Sequence, residues 1–564
     1  MYGRRLRIAN RALNGKPPQH QWGLEPTATA DRSVVPKRRS PKLVGLSLLA
    51  ILVGWLLLGT ATLWALGLIG AGGTYLIAPY WRRWRHRRSV RRRLASRPDV
   101  MVASARDPAA VVRDITHSHR GGVFLGLGAT DREWIAADPE HAVMVLGPPR
   151  SGKTSTVIIP AILSAAGAVV STSTKLDVFS STARHRSRWG QVWVFDPSGS
   201  GDLPEGAQAL RWSPVVLGRS WDDTLNTSAV MVDASRLGSG GDAEYWNERA
   251  GAMLAGLLHA AALDRRTIGE VRGWVLRGEL DLPRAILRAN GATLAAEVLD
   301  GLARAGERAL TTVFATASSV LTAYNSDAAL AQCENPNFDA RSFVNSDDTV
   351  YITAPAHLQA RLAPLVVGLL EEIRRAAYAR ARALNGARCE PLLWALDEVA
   401  NIAPLGTLPA ILSEGGGQGL QTLACFQDLA QARARWGAAA EGFLSLFGTK
   451  IVFAGIGDVE TLRALSTTVG MWDRPQVTFT DSWSASATWH DALPLSKART
   501  RGGSVSTTTQ REAVLSEADI ANLPRGTALF MQARRWTLIS AEPFHVSPCW
   551  RSVDRKAYRG CSTG

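Results

Sequence analysis

The chain has little cysteine, and what it has forms no pattern. Cys333, Cys389, Cys425, Cys549 and Cys561 are five in number, scattered, and contain no C-x-x-C pair. That spacing gives no sign of a disulfide framework or a thiolate zinc site, and the bulk of the chain reads as reduced, cytoplasmic protein. Cys425 stands in an apolar run and reads as a small core residue. Beyond residue 100 the chain also lacks an excess of charge. Residues 1–100 carry 19 Lys/Arg against 3 Asp/Glu, whereas the other 464 carry 45 against 46. The overall charge of +15 therefore belongs to the first hundred residues, and bulk charge gives the rest no support as a nucleic-acid binder, local patches aside. No internal repeat is present.

A third absence lies inside that basic stretch. Leu43 to Tyr80 contains no charged residue. Thirty-eight residues span about 57 Å as a helix at ~1.5 Å each, and one crossing of a bilayer needs about 20. Both flanks are basic: Lys37, Arg38, Arg39 and Lys42 precede the run, and Arg82, Arg83, Arg85, Arg87, Arg88, Arg91, Arg92 and Arg93 follow it. Positive flanks stay in the cytoplasm, so two of them require an even number of crossings. The expectation is a hairpin of two short helices turning near Gly59–Thr62, with Tyr80, Trp81 and Trp84 at the interface; a single tilted span is the alternative. The arginine run reads as a topology determinant against anionic lipid head groups, with a nucleic-acid patch as the competing reading. The run starts too far in, and is too long, for a cleaved signal peptide.

At 564 residues the chain is too long for one compact domain. From about residue 120, short apolar runs alternate with helical stretches, which predicts an α/β fold on a parallel sheet. The strand candidates are Ala142–Leu146, Ala168–Thr172, Gln191–Phe195, Thr349–Thr353, Leu392–Leu396, Thr422–Phe426, Lys450–Ala454 and Ala528–Gln532. Residues 216–335 are poor in strand signals and rich in Ala, Leu and Arg at helical spacing, as in Ala250–Leu263 and Leu294–Ala305; they read as an all-helical insertion. Residues 473–512, rich in Ser, Thr and Arg, read as a mobile loop. The expected order is a basic tail (1–42), a transmembrane hairpin (43–80), a basic linker (81–118), a nucleotide-binding domain in two parts (119–215 and 336–545) around the helical insertion (216–335), and a C-terminal tail (546–564).

What the chain does have is Gly147-Pro148-Pro149-Arg150-Ser151-Gly152-Lys153-Thr154, which fits G-x-x-x-x-G-K-[ST]. An apolar run, His141–Leu146, precedes it and a helical stretch, Ser155–Ala166, follows. That order is what phosphate binding needs: a strand delivers a turn of backbone N–H groups, and the helix N-terminus adds the positive end of its dipole. Lys153 would reach the β- and γ-phosphates of ATP, and the Thr154 hydroxyl would bind Mg²⁺. Pro160, six residues on, should kink the following helix or force a loose turn.

Leu392–Leu396 runs straight into Asp397 and Glu398. A carboxylate at a strand end can hold Mg²⁺, partly through water, and a second can orient and deprotonate the attacking water. Asp397 suits the first task and Glu398 the second. Gln427, after Thr422–Phe426, either contacts the γ-phosphate or lytic water or is an ordinary loop residue. Asp196-Pro197-Ser198-Gly199 either lines a nucleotide crevice or ends its strand as a turn.

The P-loop, the helical stretch, Leu396-Asp397-Glu398 and the charge-free hairpin together resemble the type IV secretion coupling proteins, the TraG/TraD family. Further similar stretches are Val192-Trp193-Val194-Phe195-Asp196-Pro197, Tyr245-Trp246, Leu420–Gln427 and Leu515–Pro524, so that the likeness covers roughly residues 40–545. The resemblance implies a multi-pass protein of the bacterial plasma membrane with a RecA-like P-loop core, a hexamer with ATP between neighbouring subunits. It implies partners too: type IV secretion channel proteins, and relaxase–DNA complexes or effector proteins as cargo. It assigns P-loop roles to Lys153 and Thr154, Walker B roles to Asp397 and Glu398, and a sensor role to Gln427. One departure stands out. Many members carry an arginine in the loop before the glutamine-bearing strand, where it reaches a neighbour's nucleotide; here that loop is Ser413-Glu414-Gly415-Gly416-Gly417-Gln418-Gly419. Such a cation can be worth ~10³-fold or more in rate. Two other readings are an FtsK-like double-stranded DNA translocase, for which the roughly 30 residues after the last strand candidate are too few to hold the usual winged helix, and an ATP-binding receptor with little hydrolysis.

Overall fold

The computed structural model describes residues 101–103, 123–128, 134–138, 140–199, 203–235, 241–385, 390–490, 493–533, 535–546 and 550. The expected tail, transmembrane hairpin and arginine run lie outside these residues. Among the described residues no helix is long and apolar enough to cross a membrane.

Thirteen of the fifteen strands among the described residues form one sheet. In chain order they are β1 (Met101–Ala103), β2 (Val123–Gly128), β3 (Trp134–Ala137), β4 (Val143–Leu146), β5 (Val169–Ser173), β6 (Val192–Phe195), β7 (Gln208–Ala209), β8 (Thr349–Thr353), β9 (Leu392–Leu396), β10 (Leu420–Phe426), β11 (Thr449–Phe453), β12 (Met471–His490), β13 (Leu493–Ala513), β14 (Thr527–Gln532) and β15 (Arg535–Ser540). The sheet order is β1-β3-β2-β15-β14-β11-β4-β10-β9-β5-β8-β6-β7. From β11 to β7 every pairing is parallel. The expected all-parallel sheet is corrected at the other edge, where β14, β15, β2, β3 and β1 run antiparallel. Ala533, at φ 51°, turns β14 directly back into β15, and a connection that short can join only antiparallel neighbours.

Both faces of the central strands are covered, so they read as unbroken apolar runs. Alternate residues serve two cores. Val143, Val145, Leu393, Ala395, Leu423 and Cys425 pack with Val157, Ile158 and Ile162 of the helix after the P-loop. Met144, Leu146, Leu392, Trp394, Leu396 and Ala424 pack on the opposite face with residues of the helical region. Between β7 and β8 the described residues form helices alone, the longest being Gly241–Leu263. The helix Ile268–Arg277 shows how locally such segments are specified: Thr267 and Glu270 close a capping box, and Gly278 ends the helix at φ 64°.

The helix Gln359–Leu384 meets this region closely. Trp212 is 1% exposed and lies on Gly368, where a Cβ would stand 2.7 Å from the indole. The Trp212 indole N–H donates to the Glu372 carboxylate on the same helix.

Met471–Val514 falls outside the unit formed by Asp99–Gly470 and Leu515–Gly564. The expected mobile loop is here a two-stranded antiparallel ladder, 20 residues (β12) against 21 (β13), with Phe479 opposite Val505 and Trp483 opposite Arg501. Its strand signal is a period of two: Val477, Phe479, Trp483, Ala485, Ala487 and Trp489 alternate with Thr and Ser. The Ser and Thr content masked that alternation.

Candidate functional site

The parallel strands bring the sequence candidates to one edge of the sheet. Leu146 pairs with Phe426, and Ala424 pairs with Leu396, so the chain leaves β4, β10 and β9 side by side at Gly147, Gln427 and Asp397. The carboxylate-bearing strand is not the immediate neighbour of the P-loop strand. β10 lies between them, which puts Gln427 between the P-loop and Asp397. Asp196 is elsewhere. β6 is separated from β4 by β10, β9, β5 and β8, about 24 Å at ~4.8 Å per strand. There the Asp196 carboxylate accepts from the Ser198 amide at 2.9 Å and Gly199 turns at φ 60°, the turn reading of that tetrapeptide.

The loop is tightly wound. The Gly147 amide donates to the Phe426 carbonyl at 3.2 Å. A Cβ on Gly147 would stand 2.8 Å from Ser151 Oγ and 2.9 Å from Phe453 Cβ, so only glycine fits. Arg150 and Gly152 both have positive φ, 64° and 96°. The Lys153 ammonium folds back over the loop and donates to the carbonyls of Gly147 and, at 3.0 Å, Pro148. Ser151 Oγ is buried without a hydrogen-bonding partner among the described residues. A buried hydroxyl left unpaired is costly, and a phosphate oxygen in the loop would satisfy it.

After the loop the chain does not enter an α-helix at once. Thr154–Ile158 form a single wide π turn, with the Ile159 amide donating to the Thr154 carbonyl, and the α-helix runs from Ile159 to Ser164 with Pro160 in its first turn. Proline there has no N–H to donate, so a carbonyl of the preceding turn is left for another partner. The expected disturbance at Pro160 thus takes the form of a loose turn.

Thr154 and Asp397 meet. The Thr154 hydroxyl donates to Asp397 Oδ2 at 2.7 Å. Asp397 is held at its backbone as well, its amide donating to the Thr172 carbonyl at 3.3 Å and its carbonyl accepting from the Thr172 hydroxyl at 3.1 Å. Thr172, on β5, carried no sequence signal. Burial pushes the Asp397 carboxyl up, opposed by the Thr154 hydrogen bond and the Lys153 charge. Glu398 is half-buried and sits at φ 53°, a left-handed conformation that costs a glutamate about 1 kcal/mol or more and recurs at functional sites. Burial raises its carboxyl too, then the Asp397 charge, against side-chain hydrogen bonds from Asn401 and Gln359. A raised carboxylate is the stronger base. Gln427 is half-buried, and its backbone N–H donates to Gln431 Oε1 at 3.0 Å. A hydroxyl and a carboxylate at hydrogen-bond distance are hard oxygen donors of the kind Mg²⁺ takes; Thr154 and Asp397 would hold it.

The loop before β10 also has a definite shape. Gly416–Gln418 form a 3₁₀ turn, and a Cβ on Gly416 would stand 2.1 Å from the Glu140 carbonyl. No side chain, arginine included, fits at Gly416; at Gly417 the space is open.

The sequence profile of the type IV secretory system conjugative DNA transfer family matches residues 99–533. The conjugal transfer protein TraG of Escherichia coli is 25% identical over 380 residues, 61% of this chain and 58% of its own length; the chain thus spans little more than half of that relative. Among solved structures, the unbound conjugative coupling protein TrwBΔN70 superposes with a TM-score of 0.53 at 18% identity, over 77% of this chain and 91% of that one. TrwB in complex with ADP and Mg²⁺ gives 0.52 at 19% identity, over 72% and 85%. The likeness to TrwB is one of fold, a mostly parallel α/β core. The profile match covers well over half of the sequence, and the chain belongs to the type IV secretory system conjugative DNA transfer family.

Proposed function

We propose that this chain is a membrane-anchored P-loop ATPase that brings DNA–protein complexes, or effector proteins, to a type IV secretion channel. The observation that carries the proposal is the Thr154–Asp397 hydrogen bond, which joins the P-loop to the end of β9 beside Glu398. On this reading Lys153 neutralises the β- and γ-phosphates of ATP. Thr154 and Asp397 hold Mg²⁺, which supplies charge neutralisation on the phosphates. Glu398 accepts the proton of the attacking water, and Gln427 contacts the γ-phosphate or that water. The complex of TrwB with ADP and Mg²⁺ supports the choice of ligands. A hexamer, contact with channel proteins and relaxase, and anchoring through 43–80 complete the proposal by family analogy.

One observation favours a second reading, a receptor that binds ATP and hydrolyses it little: the arginine-free loop at Ser413–Gly419, sterically closed to any side chain at Gly416. Cargo transfer from cells carrying Lys153→Ala or Glu398→Gln in the full chain tests the proposal. Both should abolish transfer while the protein stays in the membrane fraction. Undiminished transfer by both would refute it, and loss with Lys153→Ala alone would favour the receptor.

A further inference from the structure

The wide turn after the P-loop leaves one backbone acceptor for a distant part of the chain. The Ile159 amide donates to the Thr154 carbonyl. In that register the next bond would run from residue 160 to the Ser155 carbonyl, but residue 160 is proline and has no N–H. The Ser155 carbonyl is taken instead by the Phe544 amide at 2.9 Å. A tight turn follows at once, with the Val546 amide donating to the Pro543 carbonyl at 2.9 Å. Phe544 packs against the core cluster that contains Val157 and Ala161. The His545 ring stands edge-to-face on it, centroids 5.4 Å apart at 87°. His545 and Val546 are exposed. Pro160 thus fastens a C-terminal aromatic turn beside the first residue after the P-loop.

That place is where a nucleoside would emerge. Asp397 meets Thr154 and marks the γ-phosphate and metal end of the site. The loop amides cradle the α- and β-phosphates, so ribose and base leave beyond the α-phosphate on the side of the helix's first turn. We infer that the Pro543–Val546 turn is the nucleobase platform of this site, with His545 and Val546 stacking on a purine and Phe544 anchoring them. The inference rests on the nucleotide reading above. Ring and methyl surface attracts any purine face without reading base edges, so ATP and GTP should bind alike.

The test measures the affinity of the full chain for ATP, GTP and inorganic tripolyphosphate, in the parent, His545→Ala and His545→Phe. His545→Ala should weaken ATP and GTP equally, by about tenfold, and leave tripolyphosphate unchanged; His545→Phe should restore both nucleotides. ATP binding by His545→Ala at the parental level overturns the platform, as does an equal loss of tripolyphosphate. If the parent binds tripolyphosphate no better than Lys153→Ala does, the nucleotide reading itself fails, and the platform with it.

Discussion

The Thr154 hydroxyl donates to Asp397 Oδ2 at 2.7 Å, linking two residues 243 positions apart. The contact exists because β4 and β9 flank β10 in register, so that the P-loop helix and the end of β9 face each other across one strand. If this pair holds the metal, Asp397→Asn keeps the shape and removes the charge. Mg²⁺-dependent nucleotide affinity, measured by titration with and without the metal, should fall about tenfold or more, while metal-free binding changes little. Equal Mg²⁺ dependence in parent and variant would take Asp397 out of the site.

Packing between Trp212 and Gly368 gives a stability prediction. Ala at 368 would set a methyl 2.7 Å from the indole, with Met231 Cγ at 3.5 Å behind it. Trp212 is fully buried and tied to Glu372, so it has no room to yield. Overpacking costs about 1–3 kcal/mol, and the better helix propensity of alanine offsets about 1 kcal/mol. Gly368→Ala should therefore destabilise by up to about 2 kcal/mol in denaturant unfolding. A stabilised variant would show that the contact is slack.

Glu372 gives stability a pH dependence. Burial chiefly lifts its carboxyl to about 7, against the Trp212 hydrogen bond. The folded state therefore holds the proton more tightly than the unfolded chain does. The contribution is fully present below the unfolded value near 4.5 and is lost as pH rises to about 7. Glu372→Gln should remove that fall. Unfolding midpoints at pH 5 and pH 8 should differ less in the variant than in the parent, and parallel profiles would contradict the assignment.

The P-loop and the acids at 397 and 398 were legible because each is a local pattern at a strand end. The eight strand candidates were legible for the same reason: both faces of the central sheet are buried, so each strand is an apolar run. What the sequence hid is non-local. β9 and β10 are consecutive in the chain, and nothing in their residues says that β10 lies next to β4. The antiparallel edge escaped notice because β2 and β3 are short and glycine- or alanine-rich. Thr172 reaches Asp397 only because β5 neighbours β9. Pro160 was visible as an anomaly, but its consequence at Ser155 depends on Phe544, 389 positions beyond.

Steady-state ATP turnover by the full chain, parent against Glu398→Gln, tests the central claim most directly. The parent should turn ATP over, and the variant should lose about 10²-fold or more of that rate with ATP binding retained. Parental turnover by Glu398→Gln, or firm ATP binding with no turnover in the parent with or without DNA, would contradict it.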